Sequence, residues 1–129
     1  MAQIIPNLIK HLMNDANVTA AFAHRITGDD VPAGQEYPYA YLWEVTPGQQ
    51  YHMRGEAGRI TMVQCDVVDD DILGADTNAE IIRNSLSGFR GSLGDMVVGY
   101  VFADTRSVPK DPDQQAYRRI IEINIGTNE

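Results

Sequence analysis

Ile5, Leu8, Ile9, Leu12 and Met13 recur at spacings of three and four residues. That is the period of a single apolar stripe on a helix. Pro6 suits a first helical turn, where its missing N–H would lack a partner anyway. Asn14-Asp15-Ala16-Asn17 reads as a break, with Asn17 as the cap of a second short helical turn over Val18–Ala23 and Phe22 as its core anchor. Turn formers then crowd the stretch from Thr27 to Pro38 (Gly28, Asp29, Asp30, Pro32, Gly34), which predicts a long loop.

The period then changes from helical to alternating. Tyr39 to Thr46 is aromatic and β-branched, with Tyr39, Tyr41, Trp43 and Val45 on one face of a strand. Pro47-Gly48 ends it, and Gln49 to Gly58 reads as the polar tip of a long hairpin. Arg59 to Val68 returns as an antiparallel partner, since the connection is too short for a crossover. Ala75, Ala79, Ile82, Leu86 and Phe89 lie on one helical stripe, with Thr77 and Glu80 at capping-box spacing and Ser87-Gly88 and Gly91 at its end. Met96 to Ala103 is almost wholly apolar, which predicts a central strand buried on both faces. Thr105 to Gln115 reads as a loop. Tyr117 to Ile125 alternates again, with Ile121, Ile123 and Ile125 facing inward and a frayed tail from Gly126. Strand pairs with helices between them predict one α+β domain over residues 1–129: a mostly antiparallel sheet of about four or more strands, with helices packed on one face.

The 129 residues suit a single domain, and 43% hydrophobic with 22% charged residues is ordinary globular composition. A formal net charge of −8 argues against free nucleic acid as the main ligand, because phosphate binding needs a basic stripe. It is compatible with DNA passing nearby without sticking. The single cysteine, Cys65, excludes an internal disulfide and fits a reducing compartment. The first thirteen residues lack the features of a signal peptide, and no apolar run approaches the roughly 18 residues of a membrane helix. The expectation is a protein made and folded in the cytoplasm, with no membrane partner.

The chain has no glycine-rich phosphate loop, nucleophile elbow, Cys-x-x-Cys or His-Glu-x-x-His. His11, His24 and His52 are scattered without metal-ligand spacing. Asp69-Asp70-Asp71, with Asp76 nearby, is the densest carboxylate cluster and would suit a hard cation. The Ca²⁺-loop spacing is absent, so a solvated strand-to-helix connection is favoured over an ion site, with aspartates placed well for a helix N-terminus. Cys65 lies between valines and reads as an inert core thiol. The Tyr37–Trp43 aromatics have acidic neighbours in Glu36 and Glu44, which favours packing or a subunit interface over base stacking. No catalytic residue, cofactor or metal is expected. Gln49, Gln50, Tyr51, His52, Met53, Arg54 and Arg59 at the hairpin, with Arg118 and Arg119, are the candidate protein-docking or oligomer-interface residues.

Several segments together resemble one family. They are His24-Arg25-Ile26, the Val31-Pro32-Ala33-Gly34 loop, Tyr37-Pro38-Tyr39, Tyr51-His52-Met53-Arg54-Gly55 before the second strand, Ser87-Gly88-Phe89-Arg90-Gly91 closing the helix, and Tyr117-Arg118-Arg119. In this order they are similar to the small tail-completion proteins of phages and prophages. The Asp69–Gly74 segment looks inserted relative to that family. The resemblance implies a structural virion protein of the lambda-type tail-terminator kind: a ring, typically of six copies, at the head-proximal end of the tail. Such a ring stops tube growth and offers a surface to the head connector, with DNA only passing through its lumen. The implied partners are further copies of the chain, the tail tube protein and the head–tail connector. The family carries no catalytic residues. A head–tail joining (neck) protein is the alternative within this class. The alternatives outside it are a small hydrolase or nuclease with a metal at Asp69, Asp70, Asp71 and Asp76, and a generic host protein with a binding fold.

Overall fold

A computed structural model describes residues 4–29, 34–53, 56–94, 96–110 and 115–128, with backbone alone for 46–53, 56–59 and 128. The helices are α1 (Ile4–Met13), α2 (Ala16–Phe22) and α3 (Ile72–Leu86). The strands are β1 (Ile26–Gly28), β2 (Tyr39–Met53), β3 (Glu56–Asp69), β4 (Gly91–Leu93), β5 (Met96–Val108) and β6 (Tyr117–Asn128). They form one six-stranded sheet in the order β1-β2-β3-β6-β5-β4. The predicted α+β class holds. The sheet is mixed, because β1 runs parallel to β2 while the other described pairs are antiparallel.

The helices pack on one face. Leu8 and Leu12 of α1, Val18 and Phe22 of α2, and Ala79, Ile82 and Leu86 of α3 are buried against the sheet. Ala40 and Leu42, Val63, Cys65 and Val67, Val101 and Ala103, and Ile121, Ile123 and Ile125 meet them from β2, β3, β5 and β6. Removing a side chain such as Phe22 from water contributes about 1.5–3 kcal/mol. Between α1 and α3, His11 Nε2 lies 3.0 Å from the Ser85 carbonyl oxygen, and the imidazole meets the Phe89 ring edge-on at 4.6 Å.

Several boundaries differ from the sequence reading. Asp15, not Asn17, caps α2: its carboxylate accepts from the Asn17 N–H. α3 begins five residues before Thr77, with Asp71 accepting from the Gly74 N–H, so the Thr77/Glu80 pair lies inside the helix and caps nothing. The predicted Thr27–Pro38 loop opens inside β1, whose Gly28 pairs with Leu42. Pro47-Gly48 does not end β2. The ladder takes up the irregularity in two register shifts, between Glu44 and Thr46 and between Thr46 and Gln49, and runs on to Met53. β5 continues to Val108 through what reads as loop, and β6 continues through the predicted frayed tail to Asn128. β5 is also neither central nor buried on both faces: Val97 is 57% and Phe102 64% exposed. The central strands are β3 and β6.

Candidate docking surface

The face of the sheet away from the helices has no layer over it among the described residues. Alternation sends every second side chain there. In register across the sheet, Tyr39 lies opposite Val68 and Val68 opposite Arg118, while Tyr41 lies opposite Asp66 and Asp66 opposite Ile120. Trp43, Gln64, Glu122 and Asp104 form the next row.

Along β2 and the residue leading into it, Tyr37, Tyr39, Tyr41 and Trp43 stack as a ladder. Their ring centroids are 5.8, 6.4 and 5.4 Å apart, with interplanar angles of 20 to 24°. Offset stacks at such spacings are the favoured arrangement of aromatic pairs. Beside the ladder sits Asp66, only 1% exposed. Its carboxylate accepts from the Tyr41 hydroxyl at 3.1 Å and from Gln64 Nε2 at 3.0 Å, and it faces Arg118 Nη1 at 3.5 Å. Burial, and then the Asp66 charge, raises the Tyr41 hydroxyl above its ordinary value; burial and neighbouring Tyr37 raise that of Tyr39. Both remain neutral hydrogen-bond donors at physiological pH. A shallow cavity of about 230 Å³ opens here, walled by Tyr37, Tyr39, Tyr41, Val68 and Arg118. On the far side of the same face, Tyr100 and Phe102 pack at 5.2 Å, and Arg106 pairs with Glu122 at 3.0 Å.

The nine residues singled out from sequence do not form one cluster. Arg54 lies outside the described residues, and Gln49–Met53 and Arg59 are placed by backbone alone, in the β2–β3 hairpin. Arg118 and Arg119 are at the other end of the sheet: Arg118 pairs with Val68, ten positions along β3 from Gly58, or about 34 Å of strand. Neighbours on a strand face opposite ways, and these two arginines part accordingly. Arg118 reaches the open face, whereas Arg119, 5% exposed, turns to the helix side and pairs with Asp76 of α3. The buried carboxylate Asp66 escaped the sequence reading, although its place in the alternation opposite Tyr41 is visible in the two strand segments. Among the described residues no group of three or more His, Cys, Asp or Glu is set to hold a metal ion. The Asp69–Asp71 segment forms the entry to α3: Asp71 caps it, and Asp69 accepts from Asn78 Nδ2 at 3.1 Å.

A search of curated proteins by sequence gives no match. Among solved structures, a chain in one described as the virion of a native gene transfer agent particle is similar, with TM-score 0.70 at 18% identity. The match covers 95% of this chain and 92% of that one, so the two share a fold over nearly their whole lengths. The family model described as tail completion protein gp17 matches residues 6–128, from within α1 to the end of β6. With that match spanning almost the whole α+β domain, the chain belongs to the phage tail completion protein gp17 family and is a structural component of tail assembly.

Proposed function

We propose that the protein is a tail terminator: a ring, of six copies, that caps the head-proximal end of the tail tube, stops its elongation and presents the surface to which the head connector joins. The observation that carries this reading is the match to a tail-completion family from residue 6 to residue 128. The virion particle that holds the similar fold is consistent with it. A head-to-tail contact closes into a ring when the rotation per subunit closes. The uncovered sheet face and the β2–β3 hairpin, with Gln49–Arg54 and Arg59, are the surfaces assigned to neighbouring copies and to the tube. A chain of net charge −8 suits a lumen through which DNA slides without adhering.

The test is tube growth. Purified protein added to polymerising tail tube subunits is expected to arrest elongation, with six copies on one end of each tube in electron micrographs. Tubes of unaltered length, with the protein found only on filled heads, would overturn the terminator reading in favour of a neck protein.

A further inference from the structure

We propose that the tyrosine-walled cavity on the open sheet face is a docking site for an acidic protein segment, whose carboxylate pairs with Arg118 while an adjacent ring or proline side chain lies on the faces of Tyr37 and Tyr39. This deepens the assembly reading, on which it rests for the existence of a protein partner. Three observations converge on it. The cavity, about 230 Å³, suits one or two side chains and is too small for a typical drug-sized ligand. Its wall is three tyrosines whose stacked rings are held in place by one another, with Tyr37 still 39% exposed. Its cation is held in place as well: Arg118 is anchored by a carboxylate that is itself buried, yet its own side chain stays 43% exposed. A guanidinium has five N–H donors, so pairing with Asp66 through Nη1 leaves donors free for a second acceptor.

The position of Asp66 adds to this. Burying a carboxylate carries a large desolvation penalty, and a fold gains little from it that apolar residues would not supply. Asp66 lies on the face the helices do not use, and its partners Tyr41, Gln64 and Arg118 all belong to that face. Its effect is to fix the height and direction of the arginine beside the aromatic wall. Rigid aromatics around a preorganised arginine are the composition of protein-binding hot spots. Nucleic acid would also offer rings and anions. Its recognition needs several cations along a track, however, and the rest of this face carries Asp104 and Glu122 against Arg106.

The experiment is a titration of the ¹⁵N-labelled full chain, followed by NMR, with three probes: acetyl-Tyr-Pro-Asp-amide, the matching acetyl-Tyr-Pro-Asn-amide, and a short oligothymidylate. The acidic peptide should shift the amides of Tyr39, Tyr41 and Arg118 and bind at least about tenfold more tightly than its amide twin, since a charge-assisted bond is what distinguishes them. Arg118→Gln should abolish that preference. Because this change also deprives Asp66 of its cation, Tyr37→Ala serves as the second variant: it removes an exposed ring, leaves the Asp66 network untouched, and should weaken both peptides several-fold. Equal response to the acid and amide peptides, no shifts at these residues, or preferential occupation by the oligonucleotide would each overturn the proposal. The titration reads the isolated protein, so its failure leaves tube capping to stand or fall on its own assay.

Discussion

Asp69 closes β3 and is 7% exposed, whereas its neighbours Asp70 and Asp71 are open to solvent. Burial, reinforced by the hydrogen-bonded Asp70 side chain, raises the Asp69 carboxyl above its ordinary value of 3.8. The folded chain therefore favours the neutral acid. The stability this contributes is fully present below 3.8 and is lost as pH rises through the folded value. Asp69→Asn keeps the shape and removes the ionisation. In urea melts from pH 3 to 7, the variant should be more stable than the parent at neutral pH, with the difference shrinking as the medium is acidified. A constant difference across that range would refute the assignment. Sequence alone marked all three aspartates as a solvated connection, which describes two of them. The third is drawn under α3 because Gly74 leaves room for it; a Cβ there would strike the Asp69 carboxylate. Cys65 was readable without difficulty. Its valine neighbours place it in the core, and burial followed by the Asp66 charge pushes its thiol far up, as an inert cysteine requires.

α3 shows why the apolar stripe of a helix is easier to read than its ends. Ala75, Ala79, Ile82 and Leu86 are buried as their spacing predicts. Two sites compete for the N-terminus, however, and only tertiary structure decides between them: β3 delivers Asp71 in an extended conformation at the entry, while Thr77 is already one and a half turns inside. The two positions should respond oppositely to alanine. Asp71→Ala should destabilise the domain by about 0.5–2 kcal/mol through loss of the cap. Thr77→Ala should be neutral or slightly stabilising, as an exposed helix interior gains from alanine. Thermal melts of the two variants suffice to check this, and a reversed order would restore the capping box. The misreading of β5 has an equally specific cause. Gly99 is an extra residue between Val98, opposite Thr127, and Tyr100, opposite Gly126. A bulge there makes two alternating series look like one continuous apolar run. Val98, Val101 and Ala103 face the helices, while Val97 and Phe102 are exposed. The outer edge of β5 is also partly closed: the Val101 carbonyl accepts from the Gly88 N–H at 3.0 Å and the Ala103 carbonyl from Arg83 Nε at 3.0 Å. On the opposite side β1 covers Ala40 to Leu42 of β2, and Pro47 lacks the N–H that a pairing strand would need. These are the devices by which sheets resist edge-to-edge addition. In the proposed ring, contacts between copies therefore fall to side-chain faces and not to an extended sheet.

At the scale of the whole molecule, the described residues divide into a packed part and a projecting part. Buried side chains on β2 and β3 extend no further toward the hairpin than Leu42 and Thr61 among those described. Among the described residues β6 supports the hairpin as far as Gly58, which it meets at Asn128. Beyond that, His52 and Met53 of β2 pair only with Ala57 and Glu56 of β3 among the described residues, as a two-stranded projection. A projection with one neighbour per strand adds little to global stability, because a lone two-stranded ribbon is marginal in water. Removing it should therefore separate assembly from folding. Joining Tyr51 to Gly58 through Asn-Gly supplies a two-residue turn of the type that such a pair favours. The shortened chain is expected to unfold within a few degrees of the parent, whereas Leu86→Ala or Ile123→Ala, which open cavities under the helices, should destabilise by about 2–5 kcal/mol. In the tube-growth assay the order should invert: core variants that remain folded at the assay temperature still arrest elongation, and the hairpin variant does not. Full arrest by the shortened chain would remove the hairpin from the proposed contact with the tube and move the test to the open sheet face, with its tyrosine ladder and Arg118.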